Sequence, residues 1–444
     1  MWGFFPSASA AWRISEEKFM EGTRSWLDNL KLRFSVGALG NGNVDPYKFL
    51  PTMSIDKTGV IVGDGQVNYT SYPGLIPNNL TWEKVTTYDV GVDVDMFKNR
   101  LTIGFDWYRR NTTDMYTVGP TLPEVLGTTQ PKGNYANLKT KGWELILSWR
   151  DNFKLAGSDF HYGVKFMLWD SQSWITKYNN ATGKLSDYYE GYRIGDIWGY
   201  NIEGLFTSYD EIANHADQDY IKISDSKIWQ PGDLKFADLN GDGKIDKGAQ
   251  TLSDHGDLVI VGNEEERYHY GFNLNVGWKG IGISAFFQGV GKRDWYPGQE
   301  TGFFWGKYNR PYGYSLKMHE NRWTEENPNP NAYWPRLVGY SSENGGRPMG
   351  TPNNRYMQDA SYLRLKALTV DYSLPQAWVS KLGLTGLKIY FTGENLFTFS
   401  NICENFDPEV IKGGDVDLKD RKGEEQGYSY PMLKTYTVGL NVSF

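Results

Sequence analysis

The sequence contains a single cysteine, Cys403, among 444 residues. One cysteine excludes an internal disulfide and every CxxC metal or redox site. It reads as a small, inert loop residue. Histidine is also scarce. His161, His215, His255, His269 and His319 are dispersed without HxxxH spacing, so no ligand set for a transition metal emerges. No stretch approaches the ~18 apolar residues of a membrane-spanning helix, and the mean hydropathy is −0.56. A membrane helix is therefore excluded, but a barrel is not, because only alternate residues of a barrel strand face lipid. Basic charge is not in excess: the net charge is −7. No Lys/Arg stripe with interleaved aromatics is found, which argues against nucleic acid as a partner. The opening residues, MWGFFPSASAAWRIS, lack a basic stretch followed by an apolar run of about 7–15 residues, so they are not read as a signal peptide.

Aromatic residues, by contrast, are abundant at 16%. That exceeds what a soluble core needs, and Tyr and Trp favour sites with one wet and one apolar end. The clearest pattern lies at the carboxyl end, Thr435 to Phe444. Tyr436, Val438, Leu440, Val442 and Phe444 share one parity, and Thr435, Thr437, Gly439, Asn441 and Ser443 the other. This is period-2 alternation, the signature of a strand with one apolar and one polar face. A tilted strand of about 9–11 residues crosses a bilayer core.

The pattern recurs along the chain. Tyr88, Val90, Val92, Val94 and Met96 alternate with Asp89, Asp93 and Asp95, and the turn Lys98–Arg100 leads into Leu101, Ile103, Phe105 and Trp107. Trp143–Trp149, Tyr162–Leu168, Tyr268–Trp278 and Ile281–Phe287 continue the series, with Lys279-Gly280 as a tight hairpin turn. A change of apolar parity between Leu365 and Leu368 predicts a β-bulge near Ala367. About eleven strands result, and short connections alternate with long ones. A soluble sandwich gives no reason for long loops to fall on one end only, whereas an outer-membrane barrel does. The aspartates and Asn273, Asn275 and Asn441 then face a watery lumen, where burial costs them little. The fold class is all-β: part of an antiparallel transmembrane β-barrel with long external loops.

Asp238-Leu-Asn240-Gly-Asp242-Gly243-Lys244-Ile-Asp246 is the sharpest chemical motif. Asp238, Asn240, Asp242 and Asp246, with the Lys244 carbonyl, match the opening of an EF-hand loop, so a structural Ca²⁺ is expected there. Position 12 is Ala249 instead of the bidentate glutamate, and Asp233 and Asp254 are candidate replacements. Carboxylate runs such as Glu264–Glu266 and Glu424-Glu425 read as solvated loop faces, and no catalytic residues are assigned. Dense loop aromatics, among them Tyr188, Tyr189, Trp198, Trp295, Trp305, Tyr312 and Trp334, suit either sugar rings and peptide side chains or loop packing. The substrate-binding residues are left unassigned.

Several stretches resemble the SusC/RagA-like family of TonB-dependent outer-membrane transporters. They are GFFPSASAAWRISEE (Gly3–Glu17), LKLRFSVGALGN (Leu30–Asn41), VLGTTQPKGNYANLKTKGWEL (Val125–Leu145) and EGYRIGDIWGYNIEGLF (Glu190–Phe206). GDLKFADLNGDGKID (Gly232–Asp246), ENRWTEENPNPNAYWPRL (Glu320–Leu337) and Ala360–Ser400 complete the set, in family order. The resemblance implies that residues 1–444 form the C-terminal half of a twenty-two-stranded barrel, without the plug, signal peptide and N-terminal strands. It implies TonB-dependent uptake of a glycan or oligopeptide, with a SusD-like surface lipoprotein, the TonB complex and outer-membrane lipid as partners, and no enzymatic activity. An isolated half-barrel would expose two strand edges, so this chain alone is not expected to transport. A secreted, calcium-stabilised, carbohydrate-binding β-protein and a glycoside hydrolase are the rival classes, and neither explains the one-sided loops.

Overall fold

The computed structural model describes residues 2–42, 50–76, 80–119, 122–128, 130–221, 228–299, 301–310, 312–343, 346–411 and 429–444. Glu424 and Glu425 lie outside the described residues. Eleven strands form one sheet: β1 (Ser7–Arg13), β2 (Leu27–Asn41), β3 (Glu83–Met96), β4 (Leu101–Val118), β5 (Lys132–Leu155), β6 (Ser158–Lys177), β7 (Arg267–Trp278), β8 (Ile281–Lys292), β9 (Tyr362–Ser373), β10 (Gly386–Ser400) and β11 (Thr435–Ser443). Sheet order follows chain order, and every pair is antiparallel. The sheet is thus a plain meander, with β1 and β11 at its two edges.

The alternation read in the sequence maps onto the register. Trp12, Leu32, Val92, Phe105, Leu145, Leu168 and Tyr270 stand directly opposite one another on successive strands, forming one continuous apolar row. The neighbouring row, on the other face, is Arg33, Gly91, Asp106, Glu144, Trp169 and His269. A one-residue slip would exchange these faces, so the register is strongly specified.

One end of the sheet carries tight connections. Residues 156–157 and 279–280 are two-residue hairpins in which Ala156 (φ 48°), Gly157 (φ 78°), Lys279 (φ 49°) and Gly280 (φ 85°) all take positive φ, as turns matching strand twist require. The long connections, including residues 178–266 and 293–361, share the opposite end. The expected bulge is present: the adjacent residues Phe286 and Phe287 of β8 face Ala367 and Leu365, leaving Lys366 as the extra residue.

Strand lengths depart from the sequence reading. The loop expected between Trp107 and Trp143 is largely strand, because β4 runs 18 residues and β5 runs 24. Their outer portions carry Arg109, Lys139 and Lys141 where apolar residues would mark a strand, so the alternation signal fades before the ladder does. Within 42–82 a separate hairpin forms from Ile55–Val62 and Gly65–Thr70.

The apolar face is the side that meets lipid in a barrel wall. Val92→Arg on that face is expected to destabilise the chain in lipid by about 2–4 kcal/mol. Ser284→Arg, of the opposite parity, should stay within about 0.5 kcal/mol. Equilibrium unfolding in bilayers compares the two, and equal effects would contradict the assignment of faces.

Candidate functional site

The polar face is held by ion pairs. Arg33 on β2 donates to both carboxylate oxygens of Asp93 (2.8 and 2.9 Å) and reaches across to Asp106 (3.0 Å). Gly91 lies between them, and a Cβ there would meet Asp106 Oδ1 at 2.3 Å and Arg33 Cζ at 2.6 Å. Its missing side chain is what lets the guanidinium span two strands. Asp95 accepts from Thr102 (2.8 Å) and Asn29 (3.2 Å). The three aspartates expected to line a lumen are therefore on the charged face, two of them in networks.

The long connections pack into a layer with its own core. Tyr200, Phe206, Phe236, Trp305, Trp334 and Tyr356 are almost wholly buried and belong to one cluster. The cluster draws residues from 178–266, 293–361 and 401–411. Trp334 stacks against Tyr308 (5.2 Å, 15°) and Tyr356 (5.2 Å, 23°). Tyr188 and Tyr192 pack in a second cluster on Ala136, Ile175 and Tyr178, which ties the layer to β5 and β6. Most of the loop aromatics are thus packing residues. Tyr312 and Tyr314 remain strongly exposed, as does Phe303 to a lesser degree.

Buried polar contacts fix how these connections meet. Arg336 forms a bidentate pair with Asp233 (3.0 and 2.9 Å), which is 1% exposed. Burial pushes the Asp233 carboxyl up, and Arg336 opposes that shift. Arg364 on β9 holds Asp407 and Glu409 at 2.5 Å each, and Lys366, the bulge residue, holds Glu409 at 2.6 Å. Arg293 donates to the Ile411 carbonyl at 2.6 Å. Residues 401–411 are therefore clamped onto the polar face. These arginines were not singled out from the sequence, because their partners lie far along the chain and no local spacing marks them.

The acidic motif forms a succession of side-chain-to-backbone turns. Asp238 accepts from Gly241 N (2.7 Å) and Gly243 N (2.9 Å), Asn240 from Asp242 N (2.9 Å), Asp242 from Lys244 N (2.8 Å) and Asp246 from Gly248 N (2.7 Å). Gly241 and Gly243 take φ of 75° and 82°, values a side chain resists. Asp257, 1% exposed, accepts from Leu239 N (2.8 Å) and Asp246 N (2.9 Å) and so closes the loop. Asp254 is nearby, accepting from Ala249 N at 3.1 Å, whereas Asp233 is committed to Arg336. Among the described residues, no three His, Cys, Asp or Glu side chains gather in a metal-holding group. Cys403 packs its sulfur 3.4 Å from that of Met318, and burial raises its thiol pKa.

A meander with one apolar and one charged face, tight turns at one end and a folded loop layer at the other is the wall of an outer-membrane-type β-barrel. A family model described as "TonB dependent receptor-like, beta-barrel" matches residues 1–232, just over half of the 444. The chain belongs to that family. It is 29% identical to TonB-dependent receptor P3 of Formosa agariphila, over 100% of this chain and 42% of that protein. It is 26% identical to TonB-dependent receptor SusC of Bacteroides thetaiotaomicron, over 100% of this chain and 40% of that protein. Among solved structures, the RagAB peptide importer in its closed-closed state superposes with a TM-score of 0.73, at 21% identity, over 99% of this chain and 43% of that one. The chain thus spans less than half the length of the curated relatives it matches.

His319 links this layer to pH. It is 3% exposed, its Nδ1 accepts from Leu316 N (2.9 Å) and its Nε2 donates to the Phe304 carbonyl (2.8 Å). Burial, opposed by the Phe304 contact, lowers its pKa below the ordinary 6.5. A depressed folded-state value means that the unfolded chain binds the proton more readily. Stability of the layer should be full above about pH 6.5 and decline as pH falls towards the lowered value. Tryptophan-fluorescence unfolding at a series of pH values tests this. His319→Gln should remove the component of pH dependence that sets in below about pH 6.5, and an identical profile in the variant would contradict it.

Proposed function

We propose that this chain is the C-terminal barrel wall of a TonB-dependent importer in the outer membrane. Its cargo class is a glycan or an oligopeptide. The observation that carries the reading is the division of the sheet: an unbroken apolar row on one face, an ion-paired face behind it, and the longest connections, residues 178–266 and 293–361, at one end. In this reading the apolar face meets lipid, the charged face lines the lumen, and the folded layer stands outside the cell. The edges β1 and β11 present unpaired backbone groups that lipid cannot satisfy, so the wall functions together with further strands. Energy coupling through TonB belongs to the part of such a protein that precedes this wall. A SusD-like surface lipoprotein is the proposed partner of the loop layer.

Deleting the coding stretch for residues 1–444 in the cell that makes the protein tests this. Growth on at least one polymeric glycan or on oligopeptides as sole nutrient should be lost, while growth on monosaccharides and free amino acids is kept. Unchanged growth on both polymer panels would overturn the reading.

Asp238, Asn240, Asp242 and Asp246, with the Lys244 carbonyl, are proposed to hold a structural Ca²⁺. The turns already formed by these residues support the proposal, and the ion would add stability without chemistry. Calcium titration calorimetry should show saturable heat that Asp242→Ala removes. Absence of heat in the unaltered chain would refute it.

A further inference from the structure

We infer that Lys84, Arg109, Lys139 and Lys141 form a binding site for the phosphate of a lipid headgroup, on the lipid-facing side of β3–β5 towards the loop end. The inference rests on the outer-membrane reading above. On this face Val90, Trp107 and Trp143 stand opposite one another at the top of the apolar rows. The next row outward is Tyr88, Arg109, Lys141 and Gln172, and the one after it is Thr86, Asn111, Lys139 and Trp174. Lys84 stands one step further out, opposite Thr113. The cations therefore begin where the apolar belt ends, next to the aromatic side chains that favour a membrane–water boundary.

Arg109 and Lys141 are a directly opposed cross-strand pair. Like charges at such positions, with Cβ atoms about 4.5–5.5 Å apart, destabilise a sheet. Several other cations of the wall do have carboxylates: Arg33 with Asp93 and Asp106, Arg100 with Asp151, Arg267 with Asp170, Lys388 with Asp371. Among the described residues, none of these four cations has a carboxylate within ion-pair distance. Arg109 Nε donates to Asn111 Oδ1 at 3.1 Å, and Lys139 lies over the Trp174 ring at 5.6 Å. The nearby acids do not serve them. Asp170 is committed to Arg267, Glu83 accepts from Tyr116 N at 3.3 Å, and Asp114, at the bulge, has no ion pair among the described residues.

A phosphate answers this arrangement. A guanidinium offers it two parallel donors, and each ammonium adds a point charge. One anion between Arg109 and Lys141 converts their repulsion into two attractions. The apolar row directly beneath would take the acyl chains, which a free anion or an acidic protein would not use.

The test uses the chain extracted in mild detergent from the membrane that makes it. Native mass spectrometry and total phosphorus report the lipid retained. The unaltered chain should carry phosphorylated lipid, and the double variant Arg109→Gln, Lys141→Gln should retain less by about tenfold or more, given the strength of near-surface cations. Lys279→Gln, which removes the cation over Trp278 at the turn end, should change nothing. Excess inorganic phosphate should not displace the lipid. Equal retention by the double variant would overturn the site, as would equal loss in Lys279→Gln, displacement by inorganic phosphate alone, or an acidic protein retained in place of lipid. Recovery of the unaltered chain outside the membrane fraction would instead contradict the outer-membrane reading itself.

Discussion

Lipid offers no partner to a backbone N–H or C=O, and the wall is arranged around that constraint. Each inner strand satisfies both of its edges against neighbours in chain order. Because the side-chain period is two, the same pairing that satisfies the backbone sorts the side chains onto two faces. Trp12 through Tyr270 fall on one face and Arg33 through His269 on the other without any further device. The tight turns with positive φ at residues 156–157 and 279–280 then hold the register that this sorting needs.

The loop layer is stabilised differently. Its residues lie beyond the sheet, so it needs a core of its own. Stacked rings such as Trp334 between Tyr308 and Tyr356 supply the buried apolar area. Buried ion pairs contribute less to net stability than to fixing one arrangement among several. Asp233–Arg336 joins two of the long connections, and the Arg364, Lys366 and Arg293 contacts hold a third against the charged face. In the importer reading, the outer layer and the lumen are thus mechanically joined through β9 and its bulge.

Much of the wall was legible in the sequence, since alternation is a local signal. Thr435–Ser443, Tyr88–Met96 and a bulge near Ala367 all showed in residue order alone. The outer parts of β4 and β5 did not, because their faces carry cations and polar residues at positions where alternation needs apolar ones. The packing role of the loop aromatics was legible only as one of two readings, since composition does not say which rings are covered. The clamp of Arg364 on Asp407 and Glu409 was not legible at all, because it joins residues brought together only by the fold. In the acidic loop Asp257, which no local spacing singles out, accepts from Leu239 N and Asp246 N, while Asp233 is paired with Arg336.

The central claim is that alternate residues of this sheet face lipid and water. A nitroxide scan of residues 88–95 on β3 in membranes, read by collision with oxygen and with a water-soluble nickel complex, tests it most directly. Labels at Tyr88, Val90, Val92 and Val94 should favour oxygen, and labels at Asp89, Asp93 and Asp95 should favour nickel. A flat profile, or nickel access at both parities, would contradict the account.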